Sequence, residues 1–187
     1  MAKLPDPTDS LNPQGQELYQ QLIAKRGRID GMYRSLLNHP ELTRQVSDLG
    51  TFLRFGSEAL PEALRELLIL WVARELGAAY EWVKHEPLAR KAGVSPAMIE
   101  AIRTHQEPTG LEDLQQAALA AAQCVLYRRS IPQVVQDELA AALGLPGVVE
   151  LVVLCGFYEM IAGVLFAFDV PLPEGAPDPF KSNGTDT

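Results

Sequence analysis

The stretch that decides the fold runs from residue 60 to 102, LPEALRELLILWVARELGAAYEWVKHEPLARKAGVSPAMIEAI. Within it Leu60, Leu64, Leu67, Leu68 and Trp71 recur at helical spacing, and the run LLILWV is apolar nearly all round, which predicts a central helix beginning at Pro61. Gly77 supplies the break before a second helix carrying YEWVKHEPLARKA, and Gly93 ends that one. Ser95 followed by Pro96 reads as an N-cap with proline in the first turn, opening a short helix over PAMIEAIR.

Outward from this stretch the same period continues. Gln14 to Lys25 and Ile29 to Asn38 read as two short helices, and Pro40 starts a third that runs to about Phe55. Downstream, TGLE at 109–112 and SIPQ at 130–133 fit the capping-box pattern, with Thr109 and Ser130 as caps, for helices running toward Tyr127 and Leu143. A last long helix is expected from near Pro146 to before Pro171. No segment alternates as a strand does, so the expectation is an all-α bundle of eight or nine helices in one domain over 13–172, with loose ends at 1–12 and 173–187.

The composition sets bounds. The 187 residues suffice for one core, and 47% hydrophobic with 21% charged residues is an ordinary globular balance. A net charge of -8 and a pI near 4.9 argue against a nucleic-acid partner, since affinity for phosphate backbones comes chiefly from Lys and Arg. The N-terminus lacks the apolar core of a secretory signal, which predicts a chain starting near Met1 and a cytoplasmic address. The segment VVELVVLCGFYEMIAGVLFAF at 148–168 has the length of a membrane span, but Glu150 and Glu159 make insertion costly. It is read as a buried helix that also serves a subunit interface.

Three residues form the richest chemical cluster. Glu81 and His85 stand four apart, on one face if they share a helix, and Glu66 lies one helix earlier among leucines, where desolvation would raise its pKa. A carboxylate of raised pKa with a histidine near neutrality suits proton transfer, although such pairs also occur on solvated helices. The two cysteines, Cys124 and Cys155, lie in separate apolar helical patterns, where a thiol usually packs as a small hydrophobe.

The same 60–102 stretch resembles the core motif of the carboxymuconolactone decarboxylase and alkylhydroperoxidase D (AhpD) superfamily, in the subgroup with a YEW-x-x-H-x-P-x-A signature. The resemblance continues more weakly from Leu111 to Leu172, where GFYEM stands for a GFYNM pattern and Glu159 takes the asparagine position. In the peroxidase branch the motif is a glutamate, a Cys-x-x-Cys pair and a histidine. The match puts the glutamate at Glu66 and the histidine at His85, while the cysteine positions fall on Ala78 and Glu81. Disulfide exchange needs an attacking thiolate and a resolving thiol, so that chemistry is not expected.

What the resemblance implies is an AhpD-like helical fold and a cofactor-free lyase or isomerase, decarboxylase-like, acting on a small carboxylated lactone or ring. His85 would be the acid/base, with Glu66 and Glu81 tuning it. Tyr80, Trp82, Arg54, Tyr158 and Glu159 are the substrate-binding candidates, Arg65 is a further candidate clamp for a carboxylate, and Tyr80 and Trp82 also read simply as packing residues. No metal is expected, although Glu66, Glu81 and His85 together form a conceivable ligand set. A homo-oligomer, trimer or hexamer, is implied. Two other functions remain open: a non-catalytic oligomer binding a ligand or partner, and an atypical peroxidase using Cys124 or Cys155.

Overall fold

The computed structural model describes residues 4–27, 29 and 31–181. Its elements in chain order are α1 (Pro13–Arg26), α2 (Gly31–Leu36), α3 (Pro40–Thr51), a π turn (Phe52–Gly56), α4 (Glu62–Glu75), α5 (Ala79–Lys91), α6 (Pro96–Arg103), α7 (Asp113–Leu126) and α8 (Gln133–Ala167), preceded by a 3-10 turn at Thr8–Ser10. No strand occurs among the described residues. The fold is all-α, as the periodicity predicts.

Helix α4 is the hub, because the LLILWV run has no polar side. Leu67, Leu68, Ile69 and Leu70 are wholly buried, and the helix packs against α5, α6, α7 and α8. A smaller apolar cluster of Leu11, Leu18, Leu22, Ile29 and Leu37 docks α1 on the N-terminal side. Most starts and stops follow the sequence. The Asn12 side chain accepts from Gly15 N at 2.8 Å to open α1, and the Ser95 hydroxyl accepts from Met98 N at 3.2 Å to open α6.

Two caps do not fall where the capping-box pattern puts them. Glu112, not Thr109, caps α7, with the Gln115 side chain accepting from Glu112 N at 3.0 Å. Pro132, not Ser130, precedes α8, since its fixed φ of -55° with an extended ψ places the first helical residue at Gln133. Helix α8 is broken at Gly144, whose φ of 68° and ψ of 168° suit only glycine, so the helices expected before and after that point are distinct.

The second part of α8 is buried on one face only. Leu151, Leu154, Cys155, Phe157, Tyr158, Ile161 and Leu165 turn inward, while Val149, Val152, Val153, Met160 and Phe166 are exposed. By length and composition alone α8 could cross a membrane, and 33% of its most apolar window is buried. The stretch read as a loose tail is in part held down. Phe180 packs edge-on against Trp82 with centroids 5.4 Å apart, Arg74 lies over its ring, and Arg103 donates to Pro179 O at 2.9 Å. Residues 1–3 and 182–187 of the two expected loose ends lie outside the described residues.

Candidate active site

Helix α5 presents one stripe, Tyr80, Glu81, Lys84, His85 and Leu88, to a cavity of about 440 Å³. This stripe repeats every three to four residues, the period of a helical face. The opposite wall comes from Met32 and Tyr33 of α2, Gly50 of α3, Arg54 and Phe55 of the π turn, and Phe157, Tyr158 and Ile161 of α8. Gly50 is needed there because a Cβ would stand 2.9 Å from Phe157 Cζ. The π turn gives the chain after α3 the extra residue that sets Arg54 and Phe55 at the rim, with the Arg54 guanidinium 4.8 Å from the Phe55 ring centroid.

His85 is the centre of a buried chain of three groups. Its Nδ1 stands 2.8 Å from Glu66 Oε2 on α4, and its Nε2 stands 3.2 Å from the Tyr158 hydroxyl on α8. A carboxylate only accepts, so the imidazole carries its proton on Nδ1 and donates it to Glu66. That leaves Nε2 as acceptor of the Tyr158 O–H. The Tyr158 ring also meets the imidazole edge-on, with centroids 5.1 Å apart. Burial holds the imidazole below the ordinary histidine value, against the raising effect of Glu66, so His85 is neutral near pH 7. Burial likewise raises the Tyr158 phenol well above its usual value, with Glu81 adding to the rise, so the hydroxyl keeps its proton.

Glu81 does not pair with His85. The four-residue spacing does put both on one face, but the imidazole takes its partners from α4 and α8, across helices, and Glu81 Oε2 is buried with no hydrogen-bond partner. Desolvation pushes this carboxyl up to about 8, against the opposing pull of the Arg54 charge, so it is an uncharged acid at neutral pH. Arg54 Nε is also buried without a partner.

The remaining candidates divide. Tyr80, Arg54 and Tyr158 line the cavity. Glu66 is behind His85 and does not line it, so it reaches the cavity only through the imidazole. Trp82 is wholly buried on the other side of α5, where its Nε1 donates to Glu86 Oε2 at 3.0 Å, so it is not a cavity residue. Glu159 is not one either, being turned outward to an ion pair with Arg128 at 2.8 Å. Arg65 is buried away from the cavity. Glu66, Glu81 and His85 do not gather round one point. Among the described residues no three His, Cys, Asp or Glu side chains are grouped to hold a metal.

Sequence reasoning missed Tyr33, Lys84 and Phe55. Lys84 was discoverable, since it completes the α5 stripe, whereas Tyr33 and Phe55 arrive from elements whose facing no local pattern reveals. The two cysteines are free, Cys124 half-buried and Cys155 buried, and neither lines the cavity. Burial pushes the Cys155 thiol up to about 12, the wrong direction for a nucleophile.

Comparison with known proteins agrees with the architecture. The model of the carboxymuconolactone decarboxylase family matches residues 40–123, which span α3 to α7. A crystal structure described as an alkylhydroperoxidase AhpD core, an uncharacterized peroxidase-related protein from Ralstonia eutropha JMP134, superposes with a TM-score of 0.75 over 96% of this chain and 94% of its own, at 14% identity. A peroxidase-related protein from Silicibacter sp. TM1040 gives 0.74 over 92% of both chains, at 18% identity. A variant of the debrominase Bmp8, in complex with 2,3,4-tribromopyrrole, gives 0.70 over 92% of this chain and 91% of its own, at 16% identity. No curated protein matches the chain in sequence. The segment that resembles the carboxymuconolactone decarboxylase family thus falls on helices that build the cavity, and the chain shares the AhpD-like fold along nearly its whole length.

Proposed function

We propose that the protein is a cofactor-free lyase or isomerase that moves a proton on a small carboxylated ring or lactone. The observation that carries this reading is the Glu66–His85–Tyr158 chain, which ends in the cavity beside Arg54 and Glu81. Neutral His85 Nε2 is a base, and Glu66 compensates the imidazolium formed when it takes a proton. The Tyr158 hydroxyl, held to Nε2 by a bond of only 3.2 Å, is placed to turn its proton toward an enolate oxygen.

In isomerisation, Nε2 takes a proton from one ring carbon and returns it to another. In loss of carbon dioxide, the C–C bonding pair stays on the ring as an enolate, whose carbon takes a proton from Nε2 after that nitrogen has been protonated from solvent. The size of the cavity and its apolar residues, Met32, Phe55, Leu88, Phe157 and Ile161, suit a ring. A protein of the same fold is described in complex with 2,3,4-tribromopyrrole, a small ring, which supports that choice of ligand shape. The same reading includes a cytoplasmic homo-oligomer, trimer or hexamer, joined through the exposed apolar face of α8.

The test is to follow a panel of small carboxylated lactones and ring acids in D2O by NMR, scoring carbon dioxide loss and deuterium entering the ring. His85→Ala is expected to lower turnover by about 10²–10⁴-fold while the circular dichroism spectrum is unchanged. Undiminished turnover in that variant would remove His85 from the mechanism. A cavity that binds ring acids without turnover or exchange would favour the non-catalytic binding reading.

A further inference from the structure

Two polar groups in the cavity are left over by this chemistry. Glu81 Oε2 is buried without a partner, and so is Arg54 Nε. Each lines the same cavity, and they are not bonded to each other. A buried donor or acceptor left unsatisfied costs about 1–3 kcal/mol, so a ligand in this cavity that bonds to both side chains removes that cost. Arg54 only donates. Glu81, uncharged at neutral pH, has an O–H to donate as well. The complement of two donors lining one cavity, near enough for the Arg54 charge to act on Glu81, is a planar group with two acceptor oxygens and a negative charge.

We propose that Arg54 and Glu81 form a subsite for the carboxylate of a small ring acid, one ligand oxygen accepting from the Arg54 guanidinium and the other from the carboxylic acid proton of Glu81. Binding therefore requires Glu81 to carry its proton. When Glu81 is ionised beforehand, the ligand binds only together with one proton from solvent, which goes to the Glu81 carboxylate. The carboxylate so held stays an anion, which makes it the anchor and not the leaving group. Beside the polar Tyr33, Tyr80, Lys84, His85 and Tyr158, the apolar Met32, Phe55, Leu88, Phe157 and Ile161 line the cavity and fit a ring in preference to a hydrated phosphate.

The other titratable groups facing Glu81 are Tyr33 from α2, Arg54 from the π turn, Tyr80, Lys84 and His85 from α5, and Tyr158 from α8, with Glu66 behind His85. Burial carries Glu81 up to about 8, and that is the midpoint the test addresses.

This inference rests on the cavity being the site of the proposed proton chemistry, but its test needs no turnover. Benzoate is titrated into the full chain by calorimetry in buffers of differing ionisation enthalpy. Little proton uptake is expected at pH 6.5 and about one proton per benzoate at pH 9.5, with Kd weakening about tenfold per pH unit above the midpoint. Glu81→Gln, whose amide N–H takes the place of the acid proton, is expected to abolish the uptake. Arg54→Met is expected to abolish benzoate binding at every pH, and uncharged benzamide is expected to bind at least tenfold more weakly than benzoate.

Failure of benzoate to bind, absence of uptake at pH 9.5, uptake persisting in Glu81→Gln, or equal affinity for benzamide would each overturn the subsite. Proton-linked binding in a protein that turns over no ring acid would sink the acid/base reading and leave the subsite standing. Turnover without linkage would do the reverse.

Discussion

At the scale of single residues the cavity is a study in which carboxyl finds a partner. Glu66 has one and Glu81 does not, and stability should follow pH accordingly. In the unfolded chain Glu81 ionises near 4.5, whereas in the folded protein burial delays this to about 8. The folded state therefore binds the proton more tightly, so stability is fully present below pH 4.5 and is lost progressively as pH rises to about 8. Glu81→Gln is expected to be more stable than wild type by about 4 kcal/mol at pH 8, with the gap closing toward pH 5, as read from urea midpoints. Tyr158→Phe should keep the fold and lower turnover by about 10-fold or more, since it removes the donor to an enolate oxygen and leaves the His85 base in place. The sequence made Glu66 and His85 legible because the resemblance placed the motif's glutamate and histidine there, although the pair read from spacing was Glu81 with His85. It misjudged Glu81, since sharing a face with His85 does not decide which way an imidazole ring turns. Glu159 was misread for a related reason: one residue from Tyr158 is about 100° round the helix, which aims it at Arg128 outside.

Elements were legible where punctuation is local. Pro40 and Pro96 each open a helix, and Gly77 and Gly93 each end one, as their backbone preferences require. The shifted caps at Glu112 and Pro132 show the limit, because several residues near a helix start are able to cap and tertiary packing selects one. The π turn left no such sign, and it carries Arg54. Gly50 is a test of how closely α3 and α8 must approach. Gly50→Ala places a methyl against Phe157, which must give way, and is expected to cost about 1–3 kcal/mol by thermal or urea unfolding. Because Phe157 also lines the cavity, the same variant should weaken benzoate binding.

At the scale of the whole molecule the chain is acidic, with a net charge of -8, and among the described residues α8 exposes an apolar face of Val149, Val152, Val153, Met160 and Phe166. An exposed patch of this kind marks a surface to be covered. The expected outcome is that Val153→Glu with Met160→Glu lowers the mass measured by light scattering to that of a monomer, 20.5 kDa, while benzoate still binds. An unchanged mass would place the subunit contact elsewhere or remove it. The described C-terminal residues lie on the back of α5, where Phe180 meets the wholly buried Trp82, while the front of that helix carries Glu81 and His85. Light can read this arrangement. The chain has two tryptophans, and Trp82 sits away from solvent against an aromatic edge, so its emission is set by the seating of Phe180 and by small movements of α5. The protein thus carries its own fluorophore one residue from Glu81, on the dry side of the helix, where a ligand cannot touch it directly.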